Sequence, residues 1–396
     1  MKMSFAGSAG PINSILDLAS ALSLSEAFLQ LTATAPDHEN YRRVVVPAKV
    51  GGAERIVYSP SRSVRLVQRR LVSRFLKCPK TVYWPPYIFG GIPNTSLPAG
   101  DIRRDYVACA ARHSRAKSLL KMDVRNFFEN IHQDVVEDIF VSLLRWKIEP
   151  AALAAKLCTM QGFLPQGGIS SSYLALLCLH DVEPKVATSL GRKNLTYTRY
   201  VDDITISSGS VSQDYEYARR LVEDMLLKKG LSVNYKKLVI QKIGTHPLLV
   251  HNLRVGHTEP RLPQSEVKRI KLVCKQTIMM ARQHGVRTFN YRKKFNKSVG
   301  LVNKLARVKN NQHGALIKKL MAYRPMPSWR DYDIATDVGF KLREVYDKKC
   351  DTFWYWKRYN MLMDRINIIG RENEGWASTL RKYMRNHFKP LFKNND

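Results

Sequence analysis

The sequence predicts an α+β fold, on three observations. Ser118 to Met122 reads as an apolar strand ending at Asp123, and the stretch after it sets Val135, Val136, Ile139, Phe140, Leu143 and Leu144 on one helical face. Leu195 to Ser207 reads as two short β-prone runs, with Tyr197, Ile204 and Ile206 as strand formers, joined at a tight turn that carries Asp202 and Asp203. From residue 259 onward the pattern is helical and rich in Lys and Arg.

In chain order, residues 1–40 are expected to be helical, with Ile12, Ile15, Leu16, Ala19, Leu22 and Leu29 on one face. Asp17 and Glu26 inside that pattern argue against a cleaved signal peptide. Residues 41–116 read as a basic hairpin, a helix around Ser63 to Leu76, and a Pro/Gly-rich loop from Pro85 to Gly100. Residues 117–258 alternate strand and helix, and the helix Tyr215 to Lys229 stops at Gly230. Residues 259–325 are basic helices, ended by Pro325 and Pro327. Residues 326–396 form a basic, aromatic-rich extension holding Tyr346, Phe353, Trp354, Tyr355, Trp356 and Tyr359. Those rings could stack on unpaired bases, but a small helical core is the favoured reading, because so many neighbouring aromatics cannot all face water.

The 396 residues suffice for two or three packed units, and 44% hydrophobic content is normal for a folded chain. No apolar run reaches the ~18 residues of a membrane span, so no membrane association is expected. Six scattered cysteines lack Cys-X-X-Cys spacing, which argues against zinc and redox pairs and for a reducing cytoplasm. The net charge of +32 implies a polyanion partner. Residues 261–396 hold 31 Lys and Arg against 11 Asp and Glu, whereas the first 260 hold 34 against 22. Phosphate contacts in the last third should therefore weaken steeply with salt.

The candidate chemistry lies at the acids. Adjacent carboxylates such as Asp202 and Asp203 are costly unless a cation joins them, and Mg2+ is the usual candidate. A solvated hairpin turn is the plainer alternative. Asp123 at a strand end fits the same site, or caps a turn. A third element, Leu164-Pro165-Gln166-Gly167-Gly168-Ile169-Ser170-Ser171-Ser172, leads into a buried helix. Its small residues permit close approach of a ligand and the helix start would favour phosphate, although serine caps alone could explain it.

Taken in order, these segments resemble the palm motifs of reverse transcriptases: Asp123 with Phe127-Phe128, the Leu164-Pro-Gln-Gly-Gly loop, and Tyr200-Val-Asp-Asp203. Upstream, Val46 to Pro60 resembles the fingers hairpin, and downstream Gly230-Leu-Ser-Val-Asn234-Tyr-Lys-Lys237 resembles the next palm motif. Tyr106 to His113 resembles the Asn-Ala-X-X-His signature of retron reverse transcriptases, with Cys109 where Asn is expected. Leu249 to Val255 stands in the place of the retron Val-Thr-Gly-Leu segment, with His251 and Asn252 differing from it. Pro260 to Pro263 and the basic helix from Glu266 to Arg282 are also retron-like.

The resemblance implies a right-hand polymerase fold: an N-terminal helical segment 1–40 packed on fingers 41–116, a palm 117–258 of antiparallel sheet backed by helices, a helical thumb 259–325, and the extension 326–396. It implies an RNA-directed DNA polymerase that binds a structured noncoding RNA, handles the RNA–DNA hybrid, uses dNTPs, and serves anti-phage defence with an effector protein. Asp123, Asp202 and Asp203 would hold two Mg2+ ions (Mn2+ substituting), with the Val124 carbonyl as a further ligand and Asp203 the more peripheral acid. Arg55 would clamp the triphosphate, supported by Lys49, and Lys237 would protonate the leaving pyrophosphate. Phe128 would be the gate against a ribose 2′-hydroxyl while Phe127 joins the core. Gln166 and Gly167 would pack beside the incoming base and template, and Tyr200 would face the primer end. His113 would contact RNA or be a hydrogen-bonded structural residue. Two rival readings are a defence polymerase with untemplated or protein-primed DNA synthesis, and a non-catalytic RNA-binding scaffold.

Overall fold

Alternation along the Ser118–Asp123 strand divides its side chains between two faces. Leu120 and Met122 enter the main core, as does Val124 just beyond the strand, while Leu119, Lys121 and Asp123 point the other way. The strand is central. It pairs antiparallel with Asp203–Ser208 on one side and Val239–Lys242 on the other. Asp203–Ser208 pairs in turn with Thr196–Tyr200, which takes Ile88–Phe89 as a parallel neighbour at the sheet edge. That two-residue edge strand lies inside the stretch expected to be loop, and its partner lies over 100 residues along the chain, so no local pattern marks it.

This is a computed structural model that describes residues 11–47, 54–79, 81–97 and 100–392. It divides into two compact units, Met1–Arg261 and Leu262–Asp396. In the first, Ser14 caps the helix Ile15–Leu22 and Ser25 caps Glu26–Thr34. Ser23 sits between them with φ 53°, and the pair is bent by 101°. Leu16 is 66% exposed, against the single-face expectation, because the buried face of its own helix runs through Leu18, Ala19 and Leu22; Ile12 and Leu29 are buried as expected. Among the described residues no single helix is long and apolar enough to cross a membrane. The hairpin Tyr41–Val46 with Arg55–Pro60 is followed by Arg62–Leu71 and a π-helical turn at Val72–Leu76. Helices Ile148–Cys158, Ser171–Leu177 and Glu216–Leu227 contribute to the core with Leu120, Ile204 and Ile206.

The second unit has two cores. Gln264–His284, Phe289–Arg307 and His313–Met321 enclose Ile270, Tyr291, Phe295 and Val302. Trp329–Glu344, Phe353–Ile369 and Glu374–His387 enclose Ala335, Tyr355, Leu362 and Ile366. Of the tail aromatics, Tyr355 and Tyr359 are core, while Phe353 and Trp354 face outward. The charge divides unevenly. Residues 262–325 hold 16 Lys and Arg against the single acid Glu266, and residues 326–396 hold 14 against 10. The extension is therefore only mildly basic, and most of the excess positive charge of this unit belongs to residues 262–325 before it.

Candidate active site

The acids are assembled by one strained hairpin. Tyr200 pairs with Asp203, so the turn consists of Val201 and Asp202. Val201 has φ 59°, a region that a β-branched residue enters only under constraint, at roughly 1–3 kcal/mol. Three contacts hold it. Its N–H donates to the Phe89 carbonyl at 3.3 Å. Its Cγ2 comes within 3.0 Å of where a Cβ on Gly90 would stand, so a side chain there would crowd it. Its carbonyl accepts from Arg199 Nη1 at 3.1 Å. Arg199 is wholly buried and forks onto Glu183 with two 2.7 Å bonds, while Nη2 also donates to the Leu176 carbonyl at 2.7 Å. Removing one member of such a pair strands a charge in the core.

Asp123 lies directly across from Asp203 in the strand register. Paired Cα atoms in an antiparallel ladder stand roughly 4.5–5.5 Å apart, within reach of one shared ion. The Val124 N–H donates to the Asp202 carbonyl at 3.1 Å, which ties the turn to the strand end. Asp123 accepts from Asn234 Nδ2 at 3.2 Å and from Lys237 Nζ at 3.0 and 2.9 Å. Burial, then the charges of Asp203 and Asp123, raise the Asp202 carboxyl above its ordinary value. Burial and Asp123 do the same to Asp203. The hydrogen bond to Asp123 raises the Lys237 ammonium in turn. A cluster whose anions resist ionisation gains when a cation arrives, so the donor set fits a divalent metal.

The three carboxylates do not form a closed cage. Among the described residues the one group with ligand atoms all within 4.8 Å is Asp138, His180 and Asp181. Lys229 Nζ already sits 3.0 and 2.9 Å from those two acids, so a cation occupies that position.

The other sequence-predicted residues divide. Phe127 is core and Phe128 is half-buried beside it, their rings 5.9 Å apart edge to face. The Gln166 carbonyl accepts from the Tyr58 N–H at 2.7 Å, which joins the loop to the hairpin. Gly167 has φ 114°, and a Cβ there would lie 2.6 Å from the Tyr58 carbonyl oxygen, so the approaching backbone itself demands glycine. Arg55 opens its strand and is exposed. Lys49 lies outside the described residues.

Of the two roles expected for His113, RNA contact is corrected and the hydrogen-bonded structural one fits. Its side chain is buried, with Nδ1 2.7 Å from Ser207 Oγ and Nε2 2.7 Å from Thr198 Oγ1. Burial, with His251 and Arg112 nearby, pushes it down to about 3, so it is a neutral brace between the helix Tyr106–Ala111 and the polar face of the sheet. Sequence reasoning did not single out Arg199 or Glu183, and it left His251 as a mere departure from pattern. The available signal for Arg199 was a lone cation in a strand whose other residues read as half-buried.

Residues 47–297 match the family model described as Reverse transcriptase (RNA-dependent DNA polymerase). The retron Ec48 reverse transcriptase of Escherichia coli is 38% identical over 371 residues, covering 93% of this chain and 90% of that protein. The retron Se72 reverse transcriptase of Salmonella heidelberg (strain 579083-10) is 26% identical over 356 residues, covering 87% and 88%. The retron Ec86 reverse transcriptase of Escherichia coli is 28% identical over 236 residues, covering 58% and 67%. With a family match over more than half its length and a relative aligned nearly end to end, the chain belongs to the reverse transcriptase family, as a retron-type RNA-directed DNA polymerase of the α+β right-hand polymerase fold.

Proposed function

We propose that the chain binds a structured noncoding RNA and copies part of it into DNA by two-metal phosphoryl transfer, with dNTPs as substrates. The observation that carries this reading is Asp123 paired in register with Asp203 at the end of one sheet, beside the Val201–Asp202 turn. Asp123, Asp202 and Asp203, with the Val124 carbonyl, are the residues that would hold the ions. Two Mg2+ ions, or Mn2+ in their place, would activate the primer hydroxyl and neutralise charge on the departing pyrophosphate.

The remaining roles belong to side chains. Arg55, on an exposed hairpin strand, binds the triphosphate as a bidentate clamp, with Lys49 as a point charge beside it. Lys237 serves the pyrophosphate as proton donor; its exposed ammonium next to Asp123 supports this. Phe128 closes the space a ribose 2′-hydroxyl would need and cannot hydrogen-bond it, which disfavours ribonucleotides. Gln166 and Gly167 flank the incoming base and template, and Tyr200 meets the primer end. Lys268, Lys271 and Lys275 are exposed on the helix Gln264–His284 at helical spacing, suited to phosphates of the RNA and the RNA–DNA hybrid. We assign the system to anti-phage defence in the cytoplasm, with an effector protein as partner.

The test is primer extension by the chain loaded with its RNA. Asp202→Asn with Asp203→Asn should lose at least about 1,000-fold in rate, since each lost ion contact removes several kcal/mol from the transition state. Undiminished incorporation would overturn the reading.

A further inference from the structure

We propose that His251 is a positioning residue of the polymerase centre, which orients the Asp203 carboxylate and the Tyr200 ring, and that Cys109 fixes the tautomer in which it does so. This rests on the assignment of Asp203 to the metal-binding set.

The argument begins with the polar face of the sheet. Asp123, Lys121, Asp203, Thr205, Ser207, Tyr200 and Thr198 share it by alternation and cross-strand register. The helix Tyr106–Ala111 contacts that face, and so does the hairpin Leu249–Val250 with Leu253–Arg254. His251 and Asn252 form the two-residue turn of that hairpin, with φ 48° and 62°. Such turns normally show their side chains to solvent. The His251 side chain is only 12% exposed.

Three contacts explain the burial. The imidazole centroid lies 4.6 Å from that of Tyr200, tilted by 51°. Nε2 lies 3.3 Å from Cys109 Sγ. Nδ1 lies 3.8 Å from Asp203 Oδ2, too long for a hydrogen bond but close enough for an oriented dipole to act on a carboxylate. A neutral imidazole carries one N–H, and two arrangements are available. If Nε2 held the proton, the Nδ1 lone pair would face the Asp203 anion. If the Cys109 thiol donates to Nε2, the proton sits on Nδ1 and faces it instead. The second arrangement is favoured electrostatically, and the thiol can supply it because burial pushes Cys109 up to about 12 and keeps it protonated.

Cys109 is itself fixed from behind. Its one thiol proton has two acceptors in reach, Thr198 Oγ1 at 3.4 Å and His251 Nε2 at 3.3 Å; when the Thr198 hydroxyl donates to the sulfur and accepts from His113 Nε2 at 2.7 Å, that proton is left for His251. Ser207, His113, Thr198, Cys109 and His251 thus form one connected polar chain ending beside Asp203. The two places where the sequence departs from the retron-like pattern, Cys109 and the His251-Asn252 pair, touch one another in this chain.

The experiment is primer extension by the RNA-loaded chain, titrated with Mg2+ and separately with dNTP. Groups that orient metal ligands typically shift metal affinity 10–100-fold, so His251→Ala should raise the half-maximal Mg2+ concentration about 10-fold. The dNTP KM should stay within about twofold, because uniform substrate binding is untouched. His251→Gln, which keeps an N–H donor and most of the volume, should recover part of the shift. Cys109→Ala should raise the Mg2+ midpoint by a smaller factor in the wild-type background and by none in His251→Ala. A structural role alone would lower the melting temperature without moving the Mg2+ midpoint. An unchanged midpoint in His251→Ala or, if that variant does not fold, in His251→Leu, which keeps bulk but no donor, overturns the proposal. So does an undiminished Cys109→Ala effect in the double variant. Asp203→Asn is run in parallel. If it shifts the Mg2+ requirement while His251→Ala does not, positioning fails alone; if Asp203→Asn changes nothing, the metal assignment fails and the proposal falls with it.

Discussion

Arg199 holds the Val201–Asp202 turn through a single bond, and that bond can be separated from the stability of the ion pair. Removing the partner alone, by Glu183→Gln, strands a guanidinium in the core and should cost about 3–5 kcal/mol. Arg199→Met strands the Glu183 carboxylate and should cost a similar amount. In the double variant neither charge remains, and the amide can still accept from the Tyr197 hydroxyl, which now bonds Glu183 at 2.8 Å. At least about 2 kcal/mol of coupling should therefore be recovered. Activity should not recover with it. The Val201 carbonyl loses a charged donor worth about 1.5–3 kcal/mol, similar to the strain the turn carries. That range corresponds to about 10–150-fold in rate. Urea unfolding gives the stabilities, and primer extension per folded molecule gives the rates. A double variant with wild-type activity per folded molecule would refute the claim that Arg199 sets the turn.

Further outcomes follow from other parts of the chain. Asp331 is buried and bridges Arg292 and Arg365 at 2.6 Å each; although burial opposes it, bonds from Arg292 and Ser328 hold its carboxyl down at about 2. Its folded value lies below the unfolded value of about 3.9, so its contribution is complete above about pH 4 and is lost as the pH falls towards 2. Asp331→Asn should cost about 3 kcal/mol and flatten the stability of the second unit across that window, as read by melting curves. Gly167→Ala should cost about 2–3 kcal/mol in urea unfolding, since a Cβ would meet the Tyr58 carbonyl oxygen at 2.6 Å in a left-handed backbone. Replacing Lys268, Lys271 and Lys275 with Gln should lower the slope of log K for RNA against log salt by about 2–3, at roughly 0.7–0.9 per phosphate contact.

Much of the site was legible because its chemistry is written locally. Asp123 follows buried Leu119, Leu120 and Met122, and the hairpin around Asp202 and Asp203 keeps its strand formers on the core side. What stayed hidden depends on partners far along the chain. The Ile88–Phe89 strand exists only through Thr196–Tyr200, inside a stretch whose prolines and glycines read as loop. Arg199 reads as an ordinary basic residue until Glu183 and three carbonyls close around it. Gly167 reads in the sequence as a place where a ligand comes close, and the structure brings the Tyr58 backbone there. Of the two roles open for His113, the structural one fits its burial between two hydroxyls, which a solitary histidine in the sequence does not reveal. Leu16 faces water because the buried stripe of its helix runs through Leu18, Ala19 and Leu22, a rotation that the apolar spacing alone does not fix.

The central claim is that the divalent ions bind at Asp123, Asp202 and Asp203 and not at the tighter Asp138, His180 and Asp181 cluster that Lys229 already fills. Mn2+ binding to the RNA-loaded chain, followed by electron paramagnetic resonance, tests this directly. Asp123→Asn with Asp202→Asn should abolish the tightly bound Mn2+, while Asp138→Asn with Asp181→Asn should leave it in place. Retention of the signal in the first variant and its loss in the second would contradict the account.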